Sequence, residues 1–172
     1  MTDTSALHHY LLALGSNRAR SARLTPRALI AAAIAAIGCE GRVMAASPIL
    51  SNPPMGPSHR RYANSALLLA TDFSPSELLE RIHAIERRFG RRRARRWGER
   101  RLDIDIILWS GGKVRSRTLT IPHVAFRSRS FVLGPASAIA PDWRDPETGL
   151  RLRHLHARLQ RARPVDPTRR RH

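Results

Sequence analysis

The sequence predicts an α+β fold of the ferredoxin-like type, in which helices pack on one face of a mostly antiparallel sheet. Three observations predict it. The 172 residues, 42% of them apolar, suit one domain with a core of ordinary size. Apolar, β-rich segments alternate with helical segments in the order strand, helix, strand, strand, helix, strand. Turn or capping residues separate these segments.

Each element of this order has its own local signal. From the N-terminus the predicted elements are a strand at 8–14, a helix at 26–37, strands at 43–50 and 62–73, a helix at 75–89, a strand at 102–108 and a helix at 129–140. Thr25 is suited to cap the first helix, Pro26 to occupy its first position and Gly38 to end it. Three prolines and a glycine exclude regular structure from residues 51–58.

The second predicted helix has the clearest signal. Ser74 and Glu77 have the spacing of a capping box. Apolar residues then recur at helical spacing from Leu78 to Phe89, which predicts a core-facing stripe. After the next strand, two glycines at 111–112 predict a hairpin. The helix at 129–140 is predicted to be the last element.

The strand at 102–108 contains the most informative pair of residues, Asp103 and Asp105. Side chains two apart on a strand point to the same side, so both carboxylates share one face while Ile104, Ile106 and Leu108 face a core. Two carboxylates this close repel each other unless a cation or a proton intervenes. Oxygen ligands beside arginines point to magnesium shared with a polyphosphate. A strand with its polar face in water is the simpler alternative.

Three other segments accompany the acid pair. Residues 91–101 place arginines around a tryptophan and a glycine, and guanidinium groups match phosphate oxygens. Residues 52–64 combine a rigid proline wall with asparagines suited to an amide-bearing heterocycle. Residues 121–131 contain a histidine, arginines and a phenylalanine. Taken alone, these segments also fit a solvated loop, a turn and a structural histidine. The sequence contains no P-loop and no set of residues typical of a nucleophilic centre.

Composition limits the possible classes of function. The formal net charge of +18 suits either a nucleic acid or a small, highly charged phosphate ligand, although drift toward arginine needs no function. No apolar run reaches the length of a membrane span, and no signal-peptide pattern opens the chain, so we expect a cytoplasmic protein. The single cysteine, Cys39, excludes an internal disulfide. We predict one domain over residues 1–158 and a basic, disordered tail over 159–172.

Several motifs together occur in the order and spacing of a known enzyme family. They are Leu14-Gly15-Ser16-Asn17, Pro53-Pro54-Met55-Gly56-Pro57, Tyr62-Ala63-Asn64, Arg96-Trp97-Gly98-Glu99-Arg100-Arg101-Leu102-Asp103-Ile104-Asp105 and Ile121-Pro122-His123. Over roughly residues 8–155 the chain resembles the 6-hydroxymethyl-7,8-dihydropterin pyrophosphokinases of folate synthesis. The Arg-x-x-Asp-x-Asp spacing that begins at Arg100 is the most specific part of the resemblance.

This resemblance implies a reaction and a set of site residues. It implies transfer of pyrophosphate from ATP to the pterin hydroxymethyl oxygen, with release of AMP, beneath three mobile loops. Asp103 and Asp105 would hold two magnesium ions, with ATP as the co-substrate. Other catalytic residues would be Arg92, Arg96 and Arg100; ATP contacts would be His83, Glu86, Trp97, His123 and Arg129; pterin contacts would be Asn52, Pro53, Met55, Tyr62, Asn64 and Phe131.

Two alternatives stay open beside this prediction. An RNA-binding module of ferredoxin-like topology would explain the positive charge, but only 5% of the residues are aromatic and no strand carries a stacking motif. A paralogue with an altered substrate would explain departures from the family pattern at Glu99, Thr118, Val124 and Asn52. We expect ATP and a reduced pterin as the ligands of a monomer, with no membrane or nucleic-acid partner.

Overall fold

The computed structural model describes residues 7–17, 25–52, 62–90 and 102–161, with backbone alone for Asn52. The elements in chain order are β1 (His8–Ser16), α1 (Pro26–Ile37), β2 (Arg42–Ala46), β3 (Leu50–Asn52), β4 (Tyr62–Thr71), α2 (Pro75–Arg88), β5 (Asp103–Trp109), β6 (Val114–Arg115), β7 (Thr120–Ile121), a 3-10 turn (Phe126–Ser128), α3 (Ser130–Ile139) and α4 (Leu152–Gln160). The predicted loop at 91–101, and most of the loop at 51–58, lie outside the described residues.

The sheet is antiparallel, as predicted. Its strand order is β2-β4-β1-β5, and β3 pairs with β4 on the same side as β2. β1 therefore lies between β4 and β5, which pairs Ala13 of β1 with Asp105 of β5 and Gly15 with Asn64 of β4. β6 and β7 form a separate two-stranded hairpin. The topology brings residues that are far apart in sequence to one end of β1.

Helices cover both faces of the sheet, so the prediction that they lie on one face only is wrong. Leu12 and Leu14 of β1 pack with the buried side chains of α1 and α2. Leu11 and Ala13, which alternate with them, pack with buried side chains of α3 and α4. The cause is the C-terminal part of the chain, where α4 adds a helix beyond the one predicted to be last.

The predicted strand at 43–50 is two shorter strands. Ser47 separates them because its hydroxyl accepts a hydrogen bond of 2.9 Å from the Ala66 N–H and so replaces a backbone ladder bond. β3 then resumes pairing with β4 and includes Ser51 and Asn52, which the prediction had assigned to an irregular loop. The prediction passed over Pro48, whose missing N–H cannot donate to a sheet ladder and is a local signal for this interruption.

The local signals for the first two helices are confirmed. Thr25 caps α1, with its side chain accepting a hydrogen bond from the Ala28 N–H, and α1 ends at Gly38. Ser74 and Glu77 form the predicted reciprocal capping box of α2. These signals involve contacts within one helical turn, so they depend little on tertiary structure.

The C-terminal part departs most from the prediction. The glycines at 111–112 form a turn, but β6 pairs with β7 rather than extending a hairpin from β5. Leu159 and Gln160, which the predicted tail included, belong to α4. Residues 162–172 lie outside the described part of the chain, and the domain boundary stays a prediction. None of the helices in the described residues is both long and apolar enough to span a membrane.

Gly41 is a site where we expect a single methyl group to destabilise the fold. A Cβ atom there would lie 2.6 Å from the Ala70 carbonyl oxygen and 2.8 Å from Thr71 Cβ, both in β4. The overlap forces a backbone shift, so Gly41→Ala should lower the free energy of unfolding by about 1–3 kcal/mol. Thermal unfolding should then show a melting temperature lower by about 3–10 °C.

Gly134 in α3 provides the matched control for Gly41. A Cβ atom there would lie 3.5 Å from His156 Nε2, which is ordinary van der Waals contact. Alanine also favours the helix interior over glycine by about 1 kcal/mol. Gly134→Ala should therefore leave the melting temperature unchanged or raise it. Equal melting temperatures for Gly41→Ala and the wild type would contradict the steric argument.

Candidate active site

Asp103 and Asp105 lie on β5 with their side chains half-buried, while Ile104 and Ile106 between and after them are each 4% exposed. The predicted alternation is therefore present from Asp103 to Ile106. The prediction is wrong for Leu108, which packs in the core on the other face because the pairing with β1 shifts register between Leu11 and Leu12. Ile104 and Ile106 belong to the core under α1 and α2. The two carboxylates consequently lie on the face of β5 opposite this core.

Two cavities meet at this acid pair, and both carboxylate residues line each of them. The larger cavity, of about 270 Å³, lies between β5, α2 and the β6–β7 hairpin. The smaller one, of about 60 Å³, lies between β5, the end of β1, β4 and the start of α3. Any ligand of either cavity would therefore contact or approach the same two carboxylates.

The walls of the larger cavity change from apolar to polar toward the acids. Leu79 and His83 of α2 form one wall, and residues 118–120 of the hairpin form another. His123 lies at the polar end, where its Nε2 is 3.8 Å from Asp105 Oδ2. The Ala125 N–H donates to His123 Nδ1 at 3.3 Å, so in the neutral imidazole Nε2 carries the hydrogen. A donor therefore faces the acid pair at this end.

The smaller cavity is built for a flat, polar group. Asn64, 8% exposed, supplies an amide from β4. Phe131 supplies a ring, and the Arg129 guanidinium carbon lies 5.9 Å from the centre of that ring. An amide offers both a donor and an acceptor, and a ring offers a stacking face. Gly15 also lines this cavity, and a Cβ atom added to Gly15 would lie 3.5 Å from Asn64 Oδ1.

Glu86 departs from its predicted role. Its side chain is fully buried, and its Oε1 accepts a hydrogen bond of 3.0 Å from the N–H of Ile104, the residue between the two acids. It does not line the larger cavity. In this structure Glu86 supports the acid strand instead of reaching toward a nucleotide. The sequence signal for this burial was the position of Glu86 four residues after Ile82, within the apolar stripe of α2.

The structure brings only part of the predicted site together. His83, His123, Asn64, Arg129 and Phe131 line one cavity or the other beside the acids. Tyr62, at the start of β4, is half-buried and lines neither cavity. The predicted residues Arg92, Arg96, Trp97, Arg100, Pro53 and Met55, and the side chain of Asn52, lie outside the described residues. Leu79 and Leu119 are cavity residues that sequence analysis missed, since isolated leucines carry no functional signal.

The acid pair fits magnesium better than a metal held by protein alone. Within the described ranges, no group of three or more histidine, cysteine, aspartate or glutamate residues could enclose an ion. Magnesium instead takes one or two carboxylates and completes its octahedron with water and phosphate oxygens. Asp103 and Asp105 at the boundary of a large cavity suit that donor set.

The fold and the paired carboxylates between two cavities point to a class, the transferases, in which acidic residues lie between the two substrates. The sequence matches the family described as 7,8-dihydro-6-hydroxymethylpterin-pyrophosphokinase (HPPK) over residues 11–141. The chain belongs to this family. The resemblance stated from the motifs, and the predicted enzyme class, are confirmed at the level of the family.

Relatives with this description include two bacterial enzymes. The 2-amino-4-hydroxy-6-hydroxymethyldihydropteridine pyrophosphokinase of Pseudomonas aeruginosa is 40% identical over 139 residues, 79% of this chain and 83% of the relative. The enzyme of the same name from Synechocystis is 45% identical over 94 residues, 55% of this chain and 48% of the relative. The match thus spans about half the length of the Synechocystis protein.

A solved structure supports the fold assignment. The HPPK-DHPS of Plasmodium falciparum superposes with a TM-score of 0.68 over 91% of this chain and 45% of that chain. Identity over this superposition is 14%, so the likeness concerns the fold alone. The predicted ferredoxin-like α+β class is confirmed.

Proposed function

We propose that this chain transfers pyrophosphate from ATP to the hydroxymethyl group of 6-hydroxymethyl-7,8-dihydropterin, releasing AMP, in folate biosynthesis. Family membership supports this reaction. The single structural observation that carries it is the acid pair at the boundary of two cavities, one large and one small. A donor and an acceptor held on either side of the same carboxylates are positioned for transfer between them.

We assign ATP to the larger cavity. The leucines of its two walls, Leu79 on α2 and Leu119 on the hairpin, suit the base, and its polar end at Asp105 and His123 suits the phosphates. The hydrogen on His123 Nε2 would be donated to a phosphate oxygen that approaches Asp105. His83 lies on the wall opposite the hairpin and keeps its proposed role near the base.

We assign the pterin to the smaller cavity. Asn64 would hydrogen-bond the edge of the pterin ring, and Phe131 would stack on its face, as the geometry of the amide and the ring allows. A volume of about 60 Å³ is far below the roughly 300–1,000 Å³ of typical ligand pockets, so this cavity has to widen when the pterin binds, with Phe131 remaining against the ring. Tyr62, Asn52, Pro53 and Met55 remain proposed contacts on this side.

Asp103 and Asp105 would hold magnesium, and we propose two ions. When bound, the metal would offset phosphate charge and supply a Lewis acid beside the donor. The hydroxymethyl oxygen forms a bond to the β-phosphorus and its proton is released. The bond between the β-phosphorus and the α,β-bridging oxygen breaks, and AMP leaves with that oxygen. Arg129 would offset charge from the pterin side. Arg92, Arg96, Arg100 and Trp97 remain proposed for the phosphates.

We further propose that the protein is a cytoplasmic monomer without a nucleic-acid partner. RNA-binding sheets of this topology stack bases on an exposed sheet face. Here α1 and α2 cover one face of the sheet, and α3 and α4 cover the other, within the part of the chain that the structure describes. The positive charge is therefore better matched to a polyphosphate ligand.

An AMP-release assay with ATP, magnesium and the reduced hydroxymethylpterin tests the proposed reaction. We expect one AMP per pterin pyrophosphate, and no AMP when the pterin lacks its hydroxymethyl group. Thermal unfolding with a non-hydrolysable ATP analogue and magnesium, in parallel with RNA, separates the alternatives. Stabilisation by RNA alone would favour the RNA-binding module, and ATP binding without pterin turnover would favour an altered paralogue.

A further inference from the structure

The ordered C-terminal segment beyond residue 141 lies outside the family match, which covers residues 11–141. This segment contains a tight turn at 145–149 followed by α4. The turn contributes a fully buried carboxylate, that of Asp145. A buried charge is costly unless it is paired, so its partners indicate what the segment does.

Asp145 is held by a dense set of hydrogen bonds. Arg127 Nε donates to Oδ2 at 2.7 Å and Arg127 Nη2 donates to Oδ1 at 2.6 Å, a two-pronged pair. Thr148 Oγ1 also donates to Oδ2 at 2.6 Å, and the Glu147 N–H donates to Oδ1 at 3.1 Å. Burial opposes ionisation, but these bonds outweigh it and hold the pKa of Asp145 below its ordinary value. The pair is therefore ionic.

The partner, Arg127, lies in the 3-10 turn between two residues of the proposed site. The Phe126 N–H donates to the His123 carbonyl at 3.2 Å, and the Arg129 N–H donates to the Phe126 carbonyl at 3.3 Å. The Arg127 guanidinium also lies over the buried Phe126 ring, 4.7 Å from its centre. Fixing Arg127 therefore fixes the backbone between His123 in the larger cavity and Arg129 in the smaller one.

Two more exposed ion pairs, both made by Glu147, connect Arg127 to the hairpin that lines the larger cavity. Glu147 Oε2 accepts from Arg127 Nη2 at 2.9 Å, and Glu147 Oε1 accepts from Arg115 Nη2 at 3.0 Å. Arg115 belongs to β6, whose hairpin contributes residues 118–120 to the larger cavity. The Arg115 side chain is 76% exposed, so solvent screens its ion pair with Glu147, which is weaker than the buried pair of Arg127 and Asp145.

We propose that Asp145 is a positioning residue: through Arg127 it holds the His123–Arg129 segment in register with Asp103 and Asp105. This inference rests on the proposed function, because it assigns the C-terminal turn to the same transfer reaction. It places a determinant of activity in a part of the chain that the family match does not cover. A purely structural role would instead lower stability and leave the kinetics of the folded enzyme unchanged.

Asp145→Asn tests the proposal, because it keeps the shape of the side chain and removes the charge. At a temperature where the variant is fully folded, we expect kcat/KM for AMP release to fall by about 10- to 100-fold, the scale of a small misplacement of contact groups. Asp142→Asn is the matched control in the same segment. It removes exposed pairs with Arg151 and Arg153 and should retain wild-type kinetics.

A second variant and a second measurement keep the test decisive. Arg127→Lys keeps the positive charge but loses the two-pronged geometry, and should show the same kinetic loss if Asp145→Asn does not fold. The NMR signals of the His123 imidazole in the ligand-free protein should shift in either variant and remain unchanged in Asp142→Asn. These signals report positioning even if the wild type releases no AMP, an outcome that overturns the proposed function alone. Wild-type kinetics with unshifted His123 signals in a folded Asp145→Asn would overturn the proposal.

Discussion

Replacing Asp105 with asparagine should lower the rate of AMP release at saturating ATP and magnesium by about 10³-fold or more. A lost metal ligand removes several kcal/mol of charge stabilisation, and each 1.36 kcal/mol is about tenfold in rate. Asp105 Oδ2 lies 3.8 Å from His123 Nε2, and Asp105 lines both cavities. Its loss should therefore affect the donor and the acceptor together.

The fold should survive this change. The Asp105 side chain is 31% exposed, and asparagine keeps its shape. Removing one charge also relieves its repulsion with Asp103. It also weakens the pairing of Asp105 with the His123 imidazole. Denaturant unfolding should thus show a stability close to that of the wild type. An ATP analogue with magnesium should raise the melting temperature of the wild type and have little effect on the variant.

The exposed variant Asp142→Asn is the control for a nonspecific effect of losing an acid. It should release AMP at the wild-type rate. A rate close to wild type in Asp105→Asn at saturating magnesium would refute the metal role assigned to the pair. That result would favour the RNA-binding alternative, since the proposed pyrophosphate transfer depends on these carboxylates.

Removing the Glu86 side chain should produce the second largest effect. Glu86→Ala leaves the Ile104 N–H without its present acceptor and opens a void between α2 and β5. A buried unpaired donor costs about 1–3 kcal/mol, and the void adds to that cost. We expect a loss of about 2–4 kcal/mol in the free energy of unfolding. Activity should fall as well, because Ile104 lies between the two acids.

Glu86→Gln separates support of the strand from the effect of charge. Glutamine keeps an oxygen acceptor for the Ile104 N–H, so this variant should retain most of the activity that alanine loses. Glu80→Ala, at an exposed position of the same helix, should change stability by less than about 0.5 kcal/mol. Denaturant unfolding and AMP release should be measured for all three variants, Glu86→Ala, Glu86→Gln and Glu80→Ala. A Glu86→Ala variant as stable and active as the wild type would contradict the role assigned to this hydrogen bond.

Local interactions explain which elements were predictable. Thr25 and Ser74 cap the first two helices through bonds within one turn, and both were predicted. The hydrogen bond between Ser47 and Ala66, 19 residues away, could not be predicted locally, although Pro48 does signal a break at this place. α4 was also missed, since only the tertiary structure shows that its residues Leu152 and Leu155 are buried against α3 on the second face of the sheet.

The features of the active site also divide into those that local sequence predicts and those that depend on tertiary structure. The sequence by itself determined that Asp103 and Asp105 share one side of a strand with a core behind them, because a period of two is a property of the extended backbone. Only the tertiary structure decided that two cavities meet at that pair and that Glu86 lies buried behind it. These features join α2, β1, β4, the hairpin and the start of α3, and long-range packing sets their distances without leaving any periodic signal in the sequence.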